Sequence, residues 1–234
     1  MSCEQAHMAY TSVSWLSGFD EVSYSSDQEA YLARLEEDLA KQLAAKPRRL
    51  QHSYSVALCA EKLALLYGVD PFKSRVAGIL HDWDKAYSND ELIERARKAN
   101  LDLGVDLSLV QPLLHGILAA HELPQKYPEL PEDVLHAIKV HTIGSAHPTP
   151  LDMIVFIADG IEVFRPAAEG IEAVRNLVGT VSLPKLYWRS FANGVAYVIA
   201  TERWLYPGTI DIYNQLVLAR ERGEEPFTTT KETA

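Results

Sequence analysis

Apolar residues recur at helical spacing through almost the whole middle of this chain, and nowhere does a period of two persist long enough to read as a strand. Such a chain can bury a core only by packing helix on helix. The clearest stripe is His52, Val56, Cys59, Leu63, Leu66, which Gly68 stops. After Asp70-Pro71 a second helix runs to Leu80. Ser88 followed by Glu91 is a capping box for a helix through about Ala99, 100–106 reads as a loop, and the next helix covers about 107–122. Glu132-Asp133 open a helix through His141, and Thr149-Pro150-Leu151-Asp152 combines a capping hydroxyl, proline at the first helical position and an acid near the positive end of the dipole. With a first helix over Asp27 to Ala45 and later ones over about 169–178, 184–204 and 209–221, the expected fold class is all-α. One domain over 28–221 is expected, between a poorly ordered N-terminal extension, 1–27, and a polar tail, 222–234.

Charge narrows the partners. A net charge of -10 disfavours nucleic acid and anionic membranes, which reward clusters of Lys and Arg. Cys3 and Cys59 form neither a disulfide framework nor a CxxC zinc motif, and no stretch of about 18 apolar residues would span a membrane. The first residues lack a basic region followed by an apolar one, so no signal peptide is expected, and a reducing cytoplasm is the expected compartment.

The chemistry concentrates in Gly78-Ile-Leu-His-Asp-Trp-Asp-Lys85, where an apolar helix end delivers His81 and Asp82 together into shelter. His52 heads the stripe upstream, and Asp159 is the only charged residue within 153–161. A carboxylate buried without partners costs roughly 2 kcal/mol or more, so a cation is expected beside it. Two imidazoles and two carboxylates suit iron, manganese or zinc better than calcium or magnesium. The competing reading at each position is a core histidine satisfied by a backbone carbonyl, with Asp82 accepting a bond from Lys85.

Two further histidines extend the set. His141 closes the apolar face of Val134 and Ile138. A helical wheel puts His121, rather than His115, on the stripe of Val110, Leu114, Ile117 and Leu118; Pro112 removes a backbone donor, and a break of the helix there would void the count. His136 falls opposite an apolar face and reads as solvated; His7 and His147 lie in loops, His147 at best on a pocket rim. Lys85 and Arg165 are candidates for phosphate, Arg165 through its bidentate fork, with ion pairing to Glu162 or Glu169 as its alternative. Trp188 and Trp204 read as exposed aromatics that would mark either a homodimer face or helix packing.

In this order and spacing, His52, His81-Asp82 and Asp159 resemble the HD-domain metal-dependent phosphohydrolase superfamily. Six segments in register are similar to bacterial symmetrical dinucleoside tetraphosphatases: Arg48-Arg-Leu-Gln-His-Ser53, Gly78 to Lys85, Leu114-His-Gly116, Ala137 to Gly144, Ala158-Asp-Gly-Ile-Glu162 with Arg165, and Pro207-Gly-Thr-Ile210 with Asn214. The resemblance covers about residues 30–215 and implies an HD-type helical bundle with two divalent ions, iron expected, manganese or zinc as alternatives. It places His52, His81, Asp82 and Asp159 on one ion, makes Asp82 the bridge, and gives the second ion to His115 and His141, so it favours His115 over His121. Asp82 and Lys85 are the implied catalytic residues, and Lys85, Thr142 and Arg165 the implied substrate contacts.

The implied reaction splits diadenosine tetraphosphate into two ADP by metal-activated water, because a bound metal lowers the pKa of water to about 7. The alternatives are a phosphohydrolase of nucleoside monophosphates or guanosine polyphosphates, and a non-catalytic nucleotide sensor. Asp84 as a third acid, and Gly160 where the family pattern has an aromatic, bear on substrate preference more than on metal binding.

Overall fold

The computed structural model describes residues 22–222, so the two expected tails, Cys3 and His7 lie almost wholly outside the described residues. Within it the chain is all-α, with no strand among the described residues. Ten α-helices follow in order: α1 Ser26–Gln42, α2 Pro47–Tyr67, α3 Pro71–Leu80, α4 Asn89–Lys98, α5 Gln111–Lys126, α6 Glu132–Val140, α7 Pro150–Ile161, α8 Glu169–Arg175, α9 Leu183–Ala200 and α10 Pro207–Glu221. Short 3-10 turns at Trp83–Ala86 and Leu107–Leu109 link α3 to α4 and α4 to α5.

Local signals set the boundaries. The Ser25, Ser88 and Thr149 hydroxyls each accept from the third helical N–H while the side chain at that third position bonds back, which satisfies two orphan donors at the start of α1, α4 and α7. Gly68 ends α2 in the left-handed region. Pro112 does not break its helix. It sits in the first turn of α5, where the missing N–H costs nothing, and Leu107–Leu109 forms a separate turn instead of the helix's beginning.

At the centre, α2, α3 and α7 pack on one another, α6 lies against α3 and α7, and α5 lies against α6. Val56, Leu58, Leu63, Ile79, Leu80, Ile154 and Ile157 fill this core, each removed from water to 1% or less exposure, contributing about 1.5–3 kcal/mol apiece. The α2–α3 approach is close enough to require glycine: a Cβ at Gly78 would stand 2.6 Å from the Ala57 Cα. That contact brings the end of α3 against the His52 face of α2. A smaller cluster of Leu92, Ile93, Ala96, Val110, Leu114 and Leu118 ties α4 to α5. No helix of the described residues is long and apolar enough to cross a membrane. Trp188, read as exposed, is half-buried and packs against Tyr213 and Arg220; Trp204 is exposed.

Candidate metal centre

Residues from five helices meet beneath this core. His52 comes from the second turn of α2, His81 caps the C-terminal end of α3 with Asp82 next, His115 lies near the start of α5, His141 caps the C-terminal end of α6, and Asp159 is in the last turn of α7. All four histidines and Asp82 are buried. The ends of α3 and α6 both deliver their negative dipole poles here, a field that favours a cation.

Hydrogen bonding fixes the tautomers. His81 Nδ1 lies 2.7 Å from the Gly78 carbonyl and His141 Nδ1 2.7 Å from the Ile138 carbonyl. A carbonyl only accepts, so each Nδ1 bears the hydrogen and each Nε2 presents a bare lone pair to the centre. The buried His81 Nε2 has no hydrogen-bond partner. His141 Nε2 faces His115 Nε2 at 3.0 Å, and His115 Nε2 also stands 3.0 Å from Asp82 Oδ1. Donor atoms of His52, His81 and Asp159 gather within 4.8 Å of one another, as do those of His81, Asp82 and His141. The inward Nε2 lone pairs of His81 and His141, beside the carboxylates, fit divalent ions.

Asp82 stands between the two groups. Its Oδ2 faces His52 Nε2 at 3.8 Å and accepts from Arg49 at 3.2 Å; its Oδ1 faces His115, His81 at 3.7 Å and His141 at 3.9 Å. Burial alone would raise its pKa, but His81, His115 and His52 outweigh burial and hold the carboxyl well below its usual range. The competing bond from Lys85 is absent, and Arg49 takes that place.

His52 is held differently from the other imidazoles. Its Nδ1 donates to Glu162 Oε1 at 3.1 Å and its Nε2 lies 2.9 Å from Asp159 Oδ1. Burial lowers its basicity, yet hydrogen bonds to Asp159 and Glu162 win and push its pKa up to about 9. Glu162 is itself buried, accepts from Ser55 Oγ and the Phe164 N–H, and has its carbonyl clamped by Arg175.

Three cations border the site. Arg165 donates through Nη2 to Asp159 Oδ1 at 2.6 Å and through Nε to the Asp159 carbonyl at 2.8 Å, so its partner is Asp159 and not Glu162 or Glu169. The Lys85 ammonium is depressed first by burial and by Arg49 and Arg165, against the pull of Asp82 and Asp159, which puts it in the field of both carboxylates. Thr142, half-buried, keeps its Oγ1 buried without a hydrogen-bond partner.

The structure also decides between the two histidines of α5. His115 is 1% exposed, whereas His121 is exposed, contrary to the wheel. Nearly every residue from Leu114 to Ala119 is buried, so the helix has no single inward stripe to extrapolate. Gly116 lets α6 approach: a Cβ there would meet the His141 ring and the Ile138 carbonyl at 2.8 Å. His136 is exposed as expected, but is paired through Nδ1 with the buried Asp152 carboxylate at 2.9 Å. His147 is exposed. Sequence reasoning missed Arg49 and Glu162 as site residues and the burial of Asp84, whose carboxyl burial pushes up to about 6. Arg49 and Glu162 both lie in segments that carried the family resemblance, which was the available signal.

These shifts set the acid limit of the metal-free protein. Burial depresses His115 and His141 to about 4 each, so between the unfolded value near 6.5 and 4 the unfolded chain binds more protons and stability falls as pH falls. Asp84 works the other way below about 6, and the His52 contribution, lost as pH rises through about 9, is complete below 6.5. The expected net is a loss on the order of 2 kcal/mol from pH 7 to pH 5, read by urea denaturation with chelator present. A flat profile across that window would show that His115 and His141 are not buried neutral.

Comparison with known proteins agrees with this geometry. The HD domain family model matches residues 49–163, the segment that holds all six candidate donors. A symmetrical bis(5'-nucleosyl)-tetraphosphatase of Halalkalibacterium halodurans is 33% identical over 175 residues, 74% of this chain and 91% of the relative. One of Staphylococcus aureus is 34% identical over 188 residues, 78% of this chain and 95% of the relative. A solved structure from Clostridium acetobutylicum, described as a predicted HD superfamily hydrolase involved in NAD metabolism, superimposes with a TM-score of 0.71 at 30% identity, covering 84% of this chain and 99% of that one. Fold, donor set and relatives converge, and the chain belongs to the HD-domain family as a metal-dependent phosphohydrolase.

Proposed function

We propose that this phosphohydrolase cleaves dinucleoside tetraphosphates such as diadenosine tetraphosphate symmetrically, releasing two nucleoside diphosphates. The observation that carries the reading is the bridging posture of Asp82, one oxygen toward His52 and the other toward His115 and His141, beneath a rim of Arg49, Lys85 and Arg165. Such a floor would hold two cations, with His52, His81, Asp82 and Asp159 as donors to one and His115 and His141 to the other, and Asp82 placed to serve both. Iron is the proposed metal; the nitrogen and carboxylate donors also accommodate manganese or zinc. When bound, paired divalent ions supply Lewis acidity and lower the pKa of water toward 7.

The protein's own groups do the remainder. His81 and His141 offer fixed lone pairs because carbonyls hold their Nδ1 hydrogens. Arg49, Lys85 and Arg165 offset the charge of a polyphosphate, Arg165 exchanging its fork from Asp159 to phosphate oxygens. Thr142 adds a substrate hydrogen bond. In the overall step a water oxygen bonds to one of the two inner phosphorus atoms, the bond from that phosphorus to the central bridging oxygen breaks, and this oxygen leaves with the second ADP. The names of the relatives support the substrate. A non-catalytic sensor would not need six convergent donors. The site lies inside the chain, on the surface of which no nucleic acid or membrane contact is required, and we place the enzyme in the cytoplasm.

Incubating metal-loaded protein with diadenosine tetraphosphate and separating the nucleotides should give ADP alone, abolished by EDTA. AMP with ATP would overturn symmetric cleavage, and no product would pass the assignment to nucleoside monophosphates or guanosine polyphosphates.

A further inference from the structure

Beside the metal centre lies a cavity of about 300 Å³ whose walls are tied to it in sequence. Pro112 and Leu113 precede His115, Thr142 and Ile143 follow His141, and Phe156 precedes Asp159 by three positions. The fourth wall is built from α9 and the segment entering α10, including Phe191, Trp204, Tyr206 and Thr209. The cavity is thus continuous with three donor-bearing segments and closed on its far side by aromatic rings.

The linker that supplies those rings is shaped for the purpose. Glu202 adopts a left-handed φ of 54°, turning the chain after α9 where Arg203 and Trp204 enter the cavity wall. Tyr206 is anchored by its hydroxyl donating to the Leu103 carbonyl at 3.1 Å, and its ring passes so close to Gly208 that a Cβ there would stand 2.4 Å from it. The Trp204 and Tyr206 rings are tilted by 39° with centroids 6.4 Å apart. Trp204 is nonetheless 44% exposed, a large ring without a full packing role. Thr142 contributes the buried hydroxyl that has no hydrogen-bond partner.

We propose that this cavity is the nucleoside subsite, taking one base and ribose of the substrate against Trp204 and Tyr206, with Thr142 as its polar anchor. The inference rests on the reading of the substrate as a nucleotide. A π-face stacks with any base, so the rings give affinity with little base selectivity, while the hydroxyl satisfies one ribose or base-edge group. The volume falls at the low end of small-molecule sites, enough for one nucleoside and not for two. The other sizeable cavity, about 360 Å³ between α5 and α6 and lined by Ile117, Leu118, His121, Leu135 and Lys139, has no phenyl, phenol or indole ring in its wall.

The test compares binding of ADP and of inorganic pyrophosphate to the metal-loaded enzyme. Trp204→Ala and Thr142→Val should each lower the ratio of ADP to pyrophosphate affinity by about tenfold, the order expected for removing a stacked ring. Leu135→Ala, in the ring-free cavity, should leave the ratio unmoved. Photolabelling with 8-azido-ADP should mark peptides spanning 191–209. An unchanged ratio, a parallel fall of both affinities, or labelling confined to 117–139 would each overturn the subsite. Failure of the substrate reading looks different: diadenosine tetraphosphate stays intact while ADP affinity still depends on Trp204.

Discussion

Asp82→Asn is expected to abolish turnover and metal loading together, with activity reduced on the order of 10³-fold or more, about 4 kcal/mol of transition-state stabilisation. The amide keeps the volume of a fully enclosed side chain, so the fold persists and the loss is chemical. Asp82 faces both histidine groups, one oxygen toward His52 and the other toward His115 and His141, and the imidazoles around it hold it ionised against burial. An amide carries no charge to share between two cations. Metal content by mass spectrometry and turnover are measured on the same sample, with a thermal melt alongside. Two ions retained with full turnover would remove Asp82 from the centre.

The second large effect is expected from a residue that touches no substrate. Glu162→Gln should weaken metal affinity by about 10- to 100-fold, the usual cost of losing the carboxylate that orients a ligating imidazole. Of the four site histidines, His52 has its Nδ1 on a carboxylate, whereas His81 and His141 Nδ1 lean on backbone carbonyls and His115 Nδ1 has no partner. A glutamine oxygen can still accept from Nδ1, but without the charge that raises the donor strength of Nε2. Competition with a chromophoric chelator reads this without relying on turnover. Smaller proton release on metal binding should accompany it, since the Glu162 bond, with that of Asp159, holds the His52 pKa near 9 and the ring must shed a proton to ligate at neutral pH. Unaltered affinity would reduce Glu162 to packing.

What could be read from residues alone divides along physical lines. Caps depend on four consecutive residues, so Ser88 with Glu91 and Thr149 with Asp152 announced α4 and α7 before any tertiary contact was considered. Inward faces were legible where one side of a helix meets water, as for Val134, Ile138 and His141. They were illegible in α5, which is buried nearly all round from Leu114 to Ala119, so a wheel drawn there returned His121. Only the family resemblance pointed to His115. Arg49 and Glu162 act across 33 and 110 positions of sequence, on Asp82 and His52, and no local pattern encodes such partners. Arg165 was legible as a phosphate candidate but its partner was not, because Asp159, six residues away, is reached only through the turn that ends α7.

The candidate donors span positions 52 to 159, and their convergence gives metal supply a bearing on how long the protein survives. Closing a loop of about 100 residues in an unfolded chain costs about 4–5 kcal/mol of entropy, which the packed helices have already met before an ion arrives. Ions that meet this arrangement in the folded chain alone act as a reversible cross-link, and each hundredfold excess over the dissociation constant adds about 2.7 kcal/mol of stability. Scarcity of the ion would then be felt twice, as lost catalysis and as a larger fraction of chains open to proteolysis, so that the cell's metal status sets the amount of enzyme as well as its rate.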